Sequence, residues 1–157
     1  MSKTTNDLAQ LIVAVYPNVR RVFRHLVSLK DAPISMTQLT CLSIIEKQGK
    51  LTMSALAKRL SMSNQQLTKV VDTLEDFGLV VRNVDDANHR QIFVQASQKG
   101  LDLIASLKAE IDRKLSFALR HKEENEIDNL YQALAYLANF FGTCSWYRLQ
   151  VRVLYPI

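Results

Sequence analysis

The stretch from residue 35 to residue 95 constrains the fold most, because its pattern predicts three helices followed by a β-hairpin. Ser35 and Gln38 have the spacing of a capping box, in which two side chains bond to backbone groups at a helix start. The helix that begins there is predicted to end at Gly49, a residue that readily takes the left-handed conformation after a last helical turn.

A second and a third helix follow, with only three residues between them. Thr52 is the predicted cap of the first of these, over residues 53–60, and the linking residues 61–63 are too few for a long loop. Ser63 and Gln66 repeat the capping-box spacing at the start of the next helix. The predicted buried stripe of that helix consists of Leu67, Val70, Val71, Leu74 and Phe77.

Beyond this helix, which Gly78 ends, the apolar period changes to that of strands. Residues 79–82 and 91–95 are short and rich in β-branched and aromatic side chains, and a polar segment separates them. This pattern predicts a β-hairpin with a charged tip. A long helix capped by Ser97 and a last helix from about Glu123 follow.

The N-terminal segment is predicted to form an amphipathic helix, because apolar residues from Leu8 to Leu26 recur every three or four positions. Pro17 lies inside this pattern and lacks an N–H, so we expect a kink or break near Tyr16. The opposite face carries three basic residues, interpreted as a solvated surface: Arg20, Arg21 and Arg24.

The order of helix, short helix, helix and hairpin predicts a winged helix-turn-helix, within an all-α fold that has only a small antiparallel β-wing. The third of these helices would lie in a DNA major groove about 12 Å wide, with the hairpin tip near a neighbouring groove or phosphates. The predicted base contacts are Asn64, Gln65 and Thr68. The predicted phosphate or wing contacts are Ser63, Gln66, Lys69, Arg82, His89 and Arg90, with Lys58 or Arg59 as further phosphate contacts.

Two features of this third helix limit which of its residues reach DNA. As the capping partner of Ser63, Gln66 is less free to touch bases, so we interpret it mainly as a cap. Acidic residues appear only later, at Asp72, Glu75 and Asp76, and would point away from DNA if the N-terminal half enters the groove. The net charge of +5 favours an anionic partner.

The segment LAKRLSMSNQQLTKVVDTLEDFGLVVR at residues 56–82 resembles the helix-turn-helix of MarR-type transcriptional regulators. Residues 85–100 resemble that family's wing and the start of its next helix, and the likeness extends over the flanking helices, roughly residues 5–142. The resemblance implies a homodimeric bacterial or archaeal regulator whose terminal helices intertwine as the dimerisation region. It also implies that a small aromatic effector or cysteine oxidation could release the DNA, as in many relatives.

The same resemblance implies a role for the wing tip, where the family usually has Asp, any residue and then an Arg that enters the minor groove. Asn88, His89 and Arg90 occupy these positions. Arg90 matches the pattern, whereas Asn88 replaces the carboxylate and loses the charge-assisted part of its hydrogen bond to the arginine. Ala96 replaces a larger apolar residue that is common in the family. These departures affect the expected DNA affinity rather than the fold.

Four segments are predicted along the chain. Residues 1–34 form an N-terminal dimerisation helix, residues 35–100 the winged helix-turn-helix, and residues 101–142 the C-terminal dimerisation helices. Residues 143–157 form a tail that is too apolar for an ordinary disordered end. Three interpretations of the tail stay open: packing across a partner subunit, an added strand, or a non-native extension.

The predicted function is a sequence-specific regulator that binds double-stranded DNA as a homodimer on a roughly palindromic operator, most simply as a repressor. An effector pocket between the dimerisation helices and the winged region would involve Tyr16, Phe23, Phe77 and Tyr131, for which core packing is the simpler interpretation. No glycine-rich phosphate loop, nucleophile elbow or metalloprotease motif occurs, so neither an enzyme nor a cofactor is expected. The alternative is a dimeric winged-helix module that binds protein, with weak or no DNA contact.

The cysteines and the uncharged run near the C-terminus bear on compartment and regulation. Two cysteines are too few for a disulfide scaffold, which favours the reducing cytoplasm. Cys41 lies among apolar residues and is interpreted as a small buried hydrophobe, whereas Cys144 is expected to be exposed.

The three histidines are far apart, so no metal site is predicted. Residues 129–147 include polar side chains at helical spacing, which indicates a buried interface helix rather than a membrane span.

Overall fold

A computed structural model describes residues 4–27, 29, 34–84 and 91–143. Its helices are α1 (Thr5–Leu26), α2 (Met36–Gln48), α3 (Met53–Leu60), α4 (Asn64–Asp76), α5 (Gln98–Leu119) and α6 (Glu124–Thr143). Its strands are β1 (Leu51–Thr52), β2 (Val80–Val84) and β3 (Ile92–Ala96). The described residues thus form the predicted helical fold with a small antiparallel wing.

The predicted helix starts in the central region are confirmed. At the start of α2, the Ser35 N–H donates to Gln38 Oε1 at 2.7 Å and the Gln38 N–H donates back to Ser35 Oγ at 3.3 Å. α2 ends at Gly49, whose φ of +74° is a conformation that favours glycine. Ser61 also has a positive φ, of 52°, and turns the chain sharply between α3 and α4.

Of the kink or break expected near Tyr16, the break is wrong, because α1 continues through Pro17 to Leu26, and the kink stays a prediction. Proline removes one backbone hydrogen bond from a helix, but the turns on either side keep theirs. Asn18 adds a side-chain bond next to the gap, from Nδ2 to the carbonyl oxygen of Ala14 at 3.4 Å.

The sheet has three strands in the order β1-β3-β2, and both pairings are antiparallel. The β2–β3 hairpin was predicted, and its strands are slightly displaced from the predicted ranges 79–82 and 91–95. β1 was not predicted: its two residues, Leu51 and Thr52, pair with Val94 and Phe93 of β3. Thr52 also caps α3, because its side chain accepts the Ala55 N–H at 3.2 Å.

The hydrophobic core lies where α2, α3, α4 and the sheet meet the first turns of α5. Side chains from all these elements are fully or almost fully buried, and the largest include Leu42, Ile45, Leu56, Leu67, Val71, Leu74, Val80, Val94 and Ile104. This core fixes the position of α4, because three apolar residues of that helix, on one face, point into it.

The chain divides into two compact units, residues 1–115 and residues 116–157. In the first unit, α1 has no buried residue although it carries many apolar side chains. In the second unit, apolar side chains of α6 such as Leu134 and Tyr131 are exposed. Within the described residues, none of the helices combines the length and apolar character that crossing a membrane requires. The tail beyond residue 143 lies outside the described residues.

Candidate nucleic-acid interface

α4 is held in the core by one face and exposes the other. Leu67, Val71 and Leu74 are completely buried, and their spacing of four and three residues places them on one side of the helix. The residues on the other side are polar: Asn64, Gln65, Gln66, Thr68 and Lys69 are all exposed. The helix is therefore fixed in orientation while it presents a row of hydrogen-bonding groups to solvent.

The first turn of α4 is closed by the predicted capping box. Gln66 Oε1 accepts two hydrogen bonds from Ser63, one from the backbone N–H at 3.0 Å and one from Oγ at 3.1 Å. The Gln66 N–H donates in return to Ser63 Oγ at 3.2 Å. The prediction that Gln66 serves as a cap is thus confirmed.

The remaining polar side chains of α4 differ in how far they are already engaged. Thr68 Oγ1 donates to the carbonyl oxygen of Asn64 at 2.8 Å, a common bond of threonine within helices. In the described part of the chain, the side chains of Asn64, Gln65 and Lys69 have no hydrogen-bond or ion-pair partner. These three side chains can therefore bind an external partner without breaking an internal bond.

Arg82 of β2 reaches back to α4 and binds two of its acidic side chains. One guanidinium nitrogen donates to Asp72 Oδ1 at 2.6 Å, and the other donates to Glu75 Oε2 at 2.6 Å. The Arg82 backbone N–H also lies 3.4 Å from Glu75 Oε1. We refer to Arg82, Asp72 and Glu75 as the Arg82 clamp. Sequence patterns did not reveal it, because the three residues meet only when β2 folds back beside α4.

A shallow groove of about 260 Å³ lies beside the start of α4. It is lined by Thr52, Met53, Ser54, Asn64, Gln91 and Ile92. Two basic side chains, Lys58 and Arg59, are exposed in the last turn of α3. A third, Lys50, has its ammonium 4.3 Å from the centre of the Phe93 ring, a cation–π contact. The groove and these charges lie in the first unit, as α4 does.

The predicted wing and effector residues lie at other positions of the chain than the exposed side of α4. His89 and Arg90 lie outside the described residues. Of the predicted effector residues, Tyr16 and Phe23 are exposed on α1, and Tyr131 is exposed in the second unit. Phe77 instead packs against the core. Side chains as exposed as Tyr16 and Phe23 do not line an enclosed pocket within the first unit.

Cys41 lies in the core with no exposed surface, as its apolar surroundings predicted. Burial raises the pKa of its thiol to about 12, since a thiolate would lose its hydration there. Oxidants react with thiolates, so this environment protects Cys41 near neutral pH. Cys144 lies outside the described residues. Among the described side chains, no three of His, Cys, Asp and Glu form a group able to hold a metal ion.

Comparison with known sequences places this arrangement among bacterial regulators. Residues 34–92 match the MarR family. The chain is 32% identical over 107 residues to an uncharacterised HTH-type transcriptional regulator of Mycobacterium leprae, ML2140, covering 68% of this chain and 71% of that protein. It is 29% identical over 132 residues to Mb0904 of Mycobacterium bovis, also described as an uncharacterised HTH-type regulator, covering 84% and 88% of the two chains.

Solved structures share the fold over most of the chain. A MarR family protein from Bacillus stearothermophilus superposes with a TM-score of 0.74 at 23% identity, covering 88% of this chain and 96% of that one. Rv1404 from Mycobacterium tuberculosis gives a TM-score of 0.77 at 16% identity, covering 92% and 99%. At these identities the likeness establishes the fold.

Proposed function

Because the chain belongs to the MarR family of transcriptional regulators and carries their DNA-binding winged helix, we propose that it represses transcription as a homodimer on a roughly palindromic operator. Each subunit presents α4 to one major-groove half-site, and the two half-sites lie about 34 Å apart, one turn of DNA. The protein would act in the cytoplasm, where the DNA of a bacterial cell lies.

The observation that carries this proposal is the exposed polar side of α4, anchored by a buried apolar side. A helix that reads bases must keep its orientation while its side chains enter the groove, and the burial of Leu67, Val71 and Leu74 provides that rigidity. We assign base contacts to Asn64, Gln65 and Thr68. Amide side chains pair with adenine in the major groove, and a threonine can meet either a polar edge or a thymine methyl.

Phosphate contacts set the register of the helix on DNA without reading the sequence. Ser63, Lys69 and the basic end of α3, Lys58 and Arg59, are the proposed contacts beside α4. At the wing, His89 and Arg90 keep the role that the family resemblance implies. Arg82 is the exception: its guanidinium is engaged by two carboxylates, which supports a bracing role in place of a phosphate contact.

The unpartnered apolar side of α1 supports the proposed dimer. Leu11, Ile12 and Phe23 are each more than half exposed, although water disfavours such side chains on a monomer's surface. A dimer fits its operator at one separation of the two reading helices, so an effector that favours another separation would release DNA. The proposed effector contacts, where the dimerisation helices meet the winged region, are Tyr16, Phe23, Phe77 and Tyr131.

The test is selection of bound duplexes from a random-sequence pool at two salt concentrations. An enriched palindrome with half-sites one turn apart, and a steep loss of affinity as salt rises, is the expected result. In a Gln65→Ala variant, discrimination at one base pair should fall by about 1–3 kcal/mol, whereas Gln48→Ala on α2 should leave it unchanged.

Weak binding without an enriched sequence would contradict the operator proposal. It would favour the alternative, a dimeric winged-helix module that binds protein. Enrichment of a single half-site in place of a palindrome would contradict the dimeric arrangement alone.

A further inference from the structure

The internal hydrogen bonds of α4 restrict what two of its exposed side chains can offer a base. A glutamine amide normally presents both a donor and an acceptor, and that combination pairs with adenine. In Gln66 the acceptor is already used, because Oε1 takes bonds from both the N–H and the hydroxyl of Ser63. Gln66 Nε2 has no partner in the described part of the chain, so the side chain presents only its two N–H donors.

Thr68 is restricted in the opposite sense. Its hydroxyl hydrogen is directed to the Asn64 carbonyl oxygen at 2.8 Å. What remains for an external partner is the oxygen lone pair, an acceptor, and the methyl group. Gln65 differs from both, since its amide has no partner among the described residues and keeps a donor and an acceptor.

We propose that these bonds fix the polarity of base reading on α4, so that Gln66 only donates and Thr68 only accepts. Gln66 then selects guanine, whose N7 and O6 are both acceptors in the major groove. Thr68 selects a base with an amino donor, adenine N6 or cytosine N4. The inference rests on the proposed function, in that α4 must enter the groove. It also adds base reading to the capping role of Gln66.

The capping box makes this polarity persistent. If the Gln66 amide rotated to offer its oxygen to DNA, the N–H and the hydroxyl of Ser63 would lose their acceptor, and only the bond from the Gln66 N–H to Ser63 Oγ would remain of the capping box. Water can replace those bonds on the exposed surface, but the rearrangement opposes the reversed polarity. The protein therefore biases the choice of base before DNA is bound.

Gln66→Glu tests the proposal with little disturbance of the fold, since glutamate is also a good capping-box residue. The carboxylate can still accept from Ser63, but it removes both outward donors and adds an outward acceptor. Binding selection on this variant should show a loss of guanine preference at one base pair by about ten- to a hundredfold, and a gain for cytosine, which offers an N4 donor.

Gln38→Glu is the matched control, because Gln38 occupies the same position in the capping box of α2. It introduces the same charge into the same local structure, and thermal unfolding of both variants reports any effect on folding. The control should keep the wild-type preference at every base pair. If Gln66→Glu lowers affinity for all sequences equally and leaves every preference unchanged, Gln66 does not read a base and the proposal is overturned.

Thr68→Val provides an independent second test, because it keeps the shape and the methyl group but removes the acceptor. Preference for an amino-bearing base at one position should fall about tenfold, and an unchanged preference would overturn the acceptor role of Thr68. Failure of this inference can be distinguished from failure of the proposed function. If only the inference fails, the wild-type protein still selects an operator; if the proposed function fails, the wild-type protein selects none.

Discussion

Arg82 lies on β2, the strand that leads towards the wing tip, and it holds that strand against α4. Asp72 and Glu75 are three residues apart, so both carboxylates face the same side of the helix. The Arg82 side chain is only 24% exposed, whereas its two partners are about half exposed. Exposed ion pairs contribute about 0–1 kcal/mol each, so the clamp orients the wing more than it stabilises the fold.

Arg82→Ala should lower the free energy of unfolding by only about 1 kcal/mol, but it should weaken DNA binding several-fold. The variant leaves Asp72 and Glu75 without a neutralising cation on the helix that we propose enters the DNA groove, and their negative charge repels the phosphates even when the side chains do not contact them. Urea unfolding and operator titration measure the two effects. Arg113→Ala is the control, since it removes the same charge from an exposed position of α5.

A double-mutant cycle separates the clamp from a direct phosphate contact of Arg82. If Arg82 acts through Asp72, adding Asp72→Ala should recover part of the affinity that Arg82→Ala loses. If the effects of the two single substitutions on DNA affinity simply add in the double variant, Arg82 contacts DNA directly, as its basic character first suggested.

At the scale of elements, local sequence signals predicted the helices. They missed features that form only when separate parts of the chain meet, such as β1. The capping boxes of α2 and α4 are contained in four residues each, so the sequence places both helix starts correctly. β1 is two residues long and exists because β3, some forty residues later, pairs with it. The Arg82 clamp joins residues only seven and ten positions apart, but no sequence pattern predicts it because they meet only when β2 folds back beside α4. Pro17 misled the prediction for α1, because loss of one hydrogen bond does not end a long helix.

The packing of α5 against the start of the wing depends on Gly100. A Cβ added there would lie 2.1 Å from the carbonyl oxygen of Leu79 and 3.2 Å from Leu42 Cδ1. Ser97 Oγ also donates to the Gly78 carbonyl oxygen at 2.6 Å, which holds α5 close to the same turn. A larger residue at position 100 can be accepted only if α5 moves away from Leu79 and the start of β2.

Gly100→Ala should therefore lower the free energy of unfolding by about 1–3 kcal/mol, although alanine favours helices intrinsically. Gly49→Ala is the comparison, because among the described residues no atom lies within 4 Å of the added Cβ and the cost is that of a positive φ, about 1 kcal/mol. Urea unfolding measures both variants. A Gly100→Ala protein as stable as the wild type would show that α5 does not pack this closely on Leu79.

At the scale of the whole molecule, the exposed apolar side of α1 is the feature that supports the proposed dimer. The residues that form it recur every three or four positions and are all 43% or more exposed: Leu8, Leu11, Ile12, Val15, Val19, Val22 and Phe23. Full burial of an exposed side chain of this kind contributes about 1.5–3 kcal/mol, so each of these half-exposed side chains can still gain about half of that. A second copy of the chain offers the same apolar side, and two-fold symmetry makes one patch serve both subunits.

Ile12→Asp tests this dimer, because a carboxylate in an apolar interface loses its hydration without gaining a partner. The dissociation constant of the dimer, measured by sedimentation, should rise by at least about a hundredfold. Gln10→Asp adds the same charge on the opposite side of α1 and should leave the dimer intact. Because two linked half-sites bind far more tightly than one, the Ile12→Asp variant should also lose its preference for a palindrome over a single half-site. A dimer that tolerates Asp at position 12 would place the interface elsewhere, and the palindromic operator would then need another source of symmetry.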